Sequence, residues 1–413
     1  MTQKLIFTIS VFSVFILFML FSPVESYSYP KFAAYTGEKC ASCHVNPTGG
    51  GLRNPYGVKY SKDELFLKFL KKANDATELN TQITKGLQIG ADMRMIFIND
   101  QIDEGIPDFN SFFQMQGDLY IHAKMNKYLS LVIAPGLYIP NTYGPNPLPT
   151  KYEIYGIVSN LPAGLYFKAG RFIPNFGIKI PEHRSFNRQL NDFYTPYASD
   201  AGIEVGIAPS FFTLTAALSN GSSRDKNGTI NNSFDFDNQK QFVTSADFRW
   251  ASRKNKITAG LGGSFLTNPF KYDLQNNINA LRQIAGGFFS IGIMERVAMI
   301  GEFDYNRLDI RDSASTRSDF QTLFAELNVR VTKGLEAKFQ FESYDPQLGI
   351  KNGSMERKRY SFGFELFPLT GLEIEAIYRV VDEPGTTTDP NTGQETDIDI
   401  KNNEIQTTFK FYF

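Results

Sequence analysis

Cys40, Cys43 and His44 are the residues whose types and spacing point most directly to chemistry. Two thiols separated by two residues, with a histidine directly after, give Cys40-Ala-Ser-Cys43-His44. This is the C-x-x-C-H run that attaches a c-type haem covalently. The two sulfurs add to the two vinyl groups of one haem. The adjacent imidazole then reaches the iron as proximal ligand, a standard iron-ligating group. The competing reading of a C-x-x-C run is redox exchange on a thioredoxin-like turn, but no βαβ pattern surrounds this one. The chain contains 2 cysteines in all. If both carry haem, none is left for a structural disulfide, and the fold must rest on burial and hydrogen bonding.

Such a group has to be positioned by other elements, and the first question is the compartment. Lys4 followed by the apolar run Leu5 to Phe21, with Val24-Glu25-Ser26 behind it, reads as a secretory signal peptide over 1–26. Bacterial haem loading of this kind follows export, so the two signals agree. Residues 27–60 then read as a monohaem cytochrome c module. At this size it cannot bury much apolar surface alone, so the haem must form its core or the rest of the protein must cover it. Ser61 with Glu64 reads as a capping box opening a short helix, and 61–83 as a helical linker or plug whose apolar face is Leu65, Phe66, Phe69 and Leu70.

From Thr84 the pattern changes to a period of two. Gln88, Gly90, Asp92 and Arg94 share one parity, and Ile89, Ala91, Met93 and Met95 the other. Gln114, Gln116, Asp118, Tyr120, His122 and Lys124 repeat the wet parity, with Phe113, Met115, Leu119, Ile121 and Ala123 opposite. A strand between water and lipid needs this alternation. We count sixteen such segments over 84–413, joined by short and long connections in strict alternation. The last segment ends on Phe413, with Ile405, Phe409 and Phe411 on its lipid parity. The chain has 38 Phe and 20 Tyr against 1 Trp, and 42 basic against 43 acidic residues. That balance gives no basic stripe, so no nucleic-acid partner is expected. No repeat of solenoid length supports an alternative β architecture. The expected fold class is all-β: a sixteen-stranded antiparallel outer-membrane β-barrel, preceded by the small haem module and a short helix. A barrel of this strand number has room for a wet lumen. An even strand count puts both ends, and the haem segment, on the periplasmic side.

The longest loop, 172–201, is the third of the long series, and the resemblance to sixteen-stranded porins, whose third outer loop folds into the lumen, implies the same course here. Lumen parity elsewhere mixes signs. Arg94, Lys338, Arg357, Arg359 and Arg379 stand against Asp92, Asp118, Glu326, Glu336, Glu365, Glu373 and Glu375, a mixture that solvates the wall.

A cytochrome of this type takes its sixth iron ligand from Met or His. None lies between His44 and Met93, so either the barrel supplies it or the iron has no sixth ligand. Parity points Met93, Met95, Met115 and Met299 at lipid. His122 has wet parity near the periplasmic end of its strand and is the leading distal candidate. His183 lies in the long third loop.

Pro30-x-Phe32-Ala33, Thr36-Gly37, Cys40-x-x-Cys43-His44, Pro47, Leu52 and Gly57 make the chain resemble the fused outer-membrane monohaem cytochrome c–porins known from iron-oxidising bacteria. The run Gly49-Gly50-Gly51 departs from their usual spacer. Gly170-Arg-Phe-Ile-Pro-Asn-Phe-Gly-Ile and Asp200-Ala-Gly-Ile-Glu-Val-Gly make the barrel loosely similar to phosphate-selective porins. The first resemblance implies one covalent haem c and Fe(II)-oxidising electron transfer. Electrons would pass between an extracellular metal ion or redox partner and periplasmic cytochromes, through a protein held in outer-membrane lipid. The second implies passive diffusion of anions such as phosphate, with the haem in an accessory role.

Overall fold

The computed structural model describes residues 31–76, 78–101, 109–137, 152–182, 184–191, 199–221, 238–252, 256–273, 275–311, 316–348, 356–388, 395–400 and 403–413. The expected signal peptide over 1–26 and His183 lie outside the described residues.

Eighteen strands form one sheet in which sequence neighbours pair antiparallel, and its two ends meet. Two are short flanks: β1 (Gln82–Thr84), paired to the start of the wall, and β17 (Glu395–Ile400), which doubles back on the end of its predecessor. The other sixteen are the wall of a closed barrel, the count expected from the alternation. It opens with β2 (Leu87–Gln101) and β3 (Phe109–Lys124) and ends with β16 (Leu372–Thr388) and β18 (Asn403–Tyr412). Closure is the pairing of β18 with β2, from Asn403↔Gln101 to Tyr412↔Asp92. Every ladder then has two neighbours, so no wall edge is left to lipid, where an unpaired amide would be costly.

The alternation does what its period requires. Leu261, 69% exposed, and Phe112, 68% exposed, stand on the outside with Phe248, Trp250, Phe364, Ile405 and Phe411. Asp92, Arg94, Asp118, Glu326, Glu336, Lys338, Glu365 and Arg379 are buried inside. Two strands outrun their expected ends. β10 (Ile257–Asp273) and β16 continue well past residues 265 and 381, into what reads in the sequence as loop. Above the membrane a strand needs ladder bonds but no apolar face, so periodicity alone underestimates it.

Parity assignments in β3 are corrected: Gln114, expected on the wet face, shares the outer face of Met95, and Met115, expected on the lipid face, does not. Between β2 and β3 the register slips: Arg94 faces Gln116 but Met95 faces Gln114, leaving Met115 as an extra residue. This β-bulge turns Met115 from lipid to lumen, where it is 6% exposed and packs with Ile96 and Ile98.

The capping box is also corrected. The helix of the N-terminal segment is α3 (Pro55–Glu64), and it follows α1 (Lys31–Thr36) and α2 (Cys40–Cys43). Its N-cap is Asn54, whose side chain accepts from the Gly57 amide, with Pro55 in the first turn. Asn followed by Pro is the stronger start signal, because proline has no amide to leave unpaired there. Ser61 is instead inside the helix and bonds the Tyr412 hydroxyl at 3.2 Å. The helix ends before Leu65; a 3₁₀ turn (Lys68–Leu70) and α4 (Lys71–Asp75) follow. Leu65, Phe66 and Leu67 are buried, whereas Phe69 is 79% exposed and takes no part in the apolar face.

This segment sits in the barrel mouth at the short-turn end. Phe32 meets Phe367 edge-on at 6.0 Å, in the turn between β15 (Arg357–Leu366) and β16. The Leu67 amide donates to the Phe367 carbonyl at 2.8 Å. Asn74 accepts from the Thr370 amide at 2.8 Å and its hydroxyl at 2.7 Å. Lys31 reaches down to Glu336 at 3.3 Å and also pairs with Glu365.

Candidate functional site

The C-x-x-C-H turn is built by local hydrogen bonds. Cys40 to Cys43 form one helical turn closed by the His44 amide donating to the Cys40 carbonyl at 2.9 Å. The next residues turn back on themselves: Val45 donates to Leu52 at 3.0 Å, and Asn54 to the Cys43 carbonyl at 2.9 Å. The Asn54 side chain also donates to the Ser42 carbonyl at 2.9 Å. The reversal explains the glycine run. Gly49, Gly50 and Gly51 have φ of 82°, 75° and 66°, three successive left-handed residues that only glycine adopts freely. A Cβ on Gly49 would sit 2.9 Å from Cys40 Sγ. A Cβ on Gly57 would strike the Cys43 carbonyl, so α3 lies directly against the cysteine turn.

Neither cysteine is in a disulfide. Both, with His44, line a cavity of about 350 Å³ in the lumen, within the range of small-ligand and cofactor sites. Its barrel side includes Met115, Tyr120, Val132 and Tyr155, the third long loop adds Phe176, and its cations include Arg53, Arg94 and Lys179. Burial, with the Arg53 charge added, lowers the His44 pKa to about 4. The imidazole is therefore neutral, the form that ligates a metal. Its Nδ1 is buried with no well-formed hydrogen bond, the Gly51 backbone lying beside it. Burial raises the Cys43 thiol to about 11. Two thiols on one turn, a neutral imidazole and a largely apolar cavity fit the attachment of one haem. Cys40, Cys43 and His44 are the residues that could hold it.

Arg53 fixes this loop to the wall. Its guanidinium pairs with Asp92 at 3.2 Å and stacks 4.3 Å over the Tyr412 ring. Sequence parity identifies Asp92 and Tyr412 as lumen residues but gives no signal that Arg53 joins them.

The third long loop crosses the lumen, as expected. Glu302, on β12 (Val297–Ile310), accepts from the Ile178 amide at 3.0 Å, Asn187 at 2.9 Å and Arg188 at 3.2 Å. Glu342 accepts from the Phe186 amide at 2.7 Å, and Asn191 donates to Asp304 at 2.7 Å. At its other side Arg94 donates to the Pro181 carbonyl. The loop also touches the loop that follows the cysteine turn: Lys179 Nζ lies 2.8 Å from Thr48 Oγ1 and 3.4 Å from the Gly49 carbonyl. Burial, with the nearby Lys168 charge, lowers the Lys179 pKa to about 8.

His122 is buried on the lumen face of β3, with Nδ1 2.8 Å from Gln88 Oε1 and Nε2 unpartnered. It does not line the cavity that holds Cys40, Cys43 and His44.

No protein-family model matches the chain, and no curated protein matches it. Solved structures do. The outer membrane channel DcaP of Acinetobacter baumannii superposes with a TM-score of 0.55 at 10% identity, over 81% of this chain and 100% of that one. The anion-selective porin from Comamonas acidovorans gives 0.51 at 10%, over 79% and 99%. Salmonella typhi OmpF gives 0.53 at 10%, over 79% and 97%. At such identities the likeness is one of fold: the chain is a closed antiparallel β-barrel built like those of these outer-membrane proteins.

Proposed function

We propose that this protein is an outer-membrane electron carrier of the fused cytochrome–porin kind. One covalent haem c, on Cys40 and Cys43 with His44 as proximal ligand, would connect an extracellular donor or acceptor, Fe(II) among the donors, to periplasmic cytochromes. The observation that carries this reading is the seat of the C-x-x-C-H turn. It opens into a lumen cavity instead of facing solvent, at the end of the barrel where the short turns lie. Bound there, a haem supplies a one-electron couple. The chain does the rest. Its glycine run wraps the attachment turn, Tyr120, Tyr155 and Phe176 limit water, and Arg53 and Lys179 offer positive charge to an acidic group. The hydrocarbon band is about 25 Å tall. A single cofactor cannot bridge it, so the outer partner must enter the lumen or dock at its mouth.

A second reading is passive diffusion of anions such as phosphate, with the haem accessory. The structural neighbours are porins, one of them described as anion-selective, and they bear on this reading more directly than on the first. The two separate in one pair of measurements. In the first, the haem absorbance of intact cells shifts to the reduced form on addition of Fe(II), and purified protein in planar bilayers conducts little. In the second, the bilayers conduct phosphate while the haem stays redox-silent.

A further inference from the structure

The bulge in β3 places a sulfur where the alternation alone would have put lipid. Met115 is the residue the register slip leaves over, and it lines the same cavity as Cys40, Cys43 and His44. Bulges next to functional sites commonly re-aim one side chain. Here the re-aimed group is a thioether. It needs no hydrogen bond when buried, and its seat against Ile96 and Ile98 is apolar. Among the described residues lining the cavity, Met115 is its sole methionine and His44 its sole histidine. Of the lysines there, Lys31, Lys338 and Lys410 pair with carboxylates and Lys179 reaches Thr48. His122 is held by Gln88 and lies off the cavity wall.

We propose that Met115 is the sixth ligand of the haem iron, opposite His44; this rests on the haem reading above. Methionine with histidine is an established axial pair in cytochromes c, and it raises the potential. The bulge would then present the wall's sulfur to the cofactor.

The test uses full-length, haem-loaded protein. Wild type is expected to be low-spin in both oxidation states, with the long-wavelength methionine–iron(III) absorption band. Its ferrous form should show the far-upfield methyl resonance of an iron-bound methionine. Met115→Leu keeps side-chain volume and should lose both signals, bind carbon monoxide stoichiometrically when reduced, and drop in midpoint potential. Met115→His should restore a low-spin spectrum without the band. His122→Ala should change none of these. A wild-type protein that lacks the methyl resonance overturns the assignment, even if every variant fails to assemble. So does a Met115→Leu protein that keeps the band, or a His122→Ala protein that turns high-spin. Failure of the underlying reading looks different: intact mass would show a chain with no haem at all.

Discussion

Two segments fill this lumen, and they are held in opposite ways. The N-terminal segment is wedged into the short-turn mouth by apolar contact and a few polar ties: Phe32 on Phe367, Leu67 to the Phe367 carbonyl, Arg53 on Tyr412 and Asp92. The constriction loop is fastened across the lumen by wall carboxylates, above all Glu302, which collects three donors. On the proposed reading the first carries the chemistry, and the second shapes the space around it. They touch through Lys179 and Thr48. Redox chemistry and permeation should therefore be separable by mutation, although both segments share one cavity.

The largest expected effect is on the first segment. Replacing Cys40 and Cys43 with alanine should abolish covalent haem and all Fe(II)-dependent absorbance. The barrel should still assemble, since its sixteen strands close without that segment. Heat-modifiable gel migration together with haem staining checks both halves. Loss of the folded band would mean that the N-terminal segment is part of barrel assembly.

The matching break in the second segment is Glu302→Ala. The Glu302 side chain is 1% exposed and its partner Arg188 5%. Removing one member of such a buried pair costs about 3–5 kcal/mol, here set mainly against the docking of the loop. Single-channel conductance should rise several-fold while haem content stays at wild-type level. Unchanged conductance would mean that the loop does not limit the pore.

A smaller effect sharpens the comparison inside the first segment. Asn54→Ala removes the N-cap of α3 and the bond to the Ser42 carbonyl. The cap is worth about 1 kcal/mol. Haem occupancy should fall partially, with conductance unaffected, as read by the ratio of haem absorbance to protein.

The smallest effect is a pH dependence of the haem-free double-alanine protein. His44 is held down to about 4 in the folded segment, against an ordinary value of 6.5. Between those values the unfolded segment binds more protons than the folded one, so docking weakens as pH falls from 6.5 towards 4. Protease cleavage near the cysteine turn should accelerate over that window, and a further His44→Gln change should flatten the profile.

The comparison also explains what the sequence could reveal. The C-x-x-C-H run and the period of two are local patterns, and local patterns are readable: all sixteen wall strands follow from alternation and loop rhythm. The lumen course of the third long loop is implied by the resemblance to sixteen-stranded porins. Its fastenings are not, because Glu302 and Glu342 lie more than a hundred residues from the amides they hold. Ser61-x-x-Glu64 fits a capping pattern, yet Asn54-Pro55 starts the helix because only that site faces the cysteine turn. Met115 was misplaced for a deeper reason. A bulge belongs to two strands at once, and the β3 sequence contains nothing about its partner's register.

The most direct test of the central claim is the intact mass of the full-length protein purified from outer membranes of a host able to mature c-type cytochromes. The account predicts a mass equal to the exported chain plus one haem, and peptide mapping should place that haem on Cys40 and Cys43. A correctly exported, folded barrel whose mass shows both thiols unmodified would contradict it and leave the passive channel as the reading to pursue.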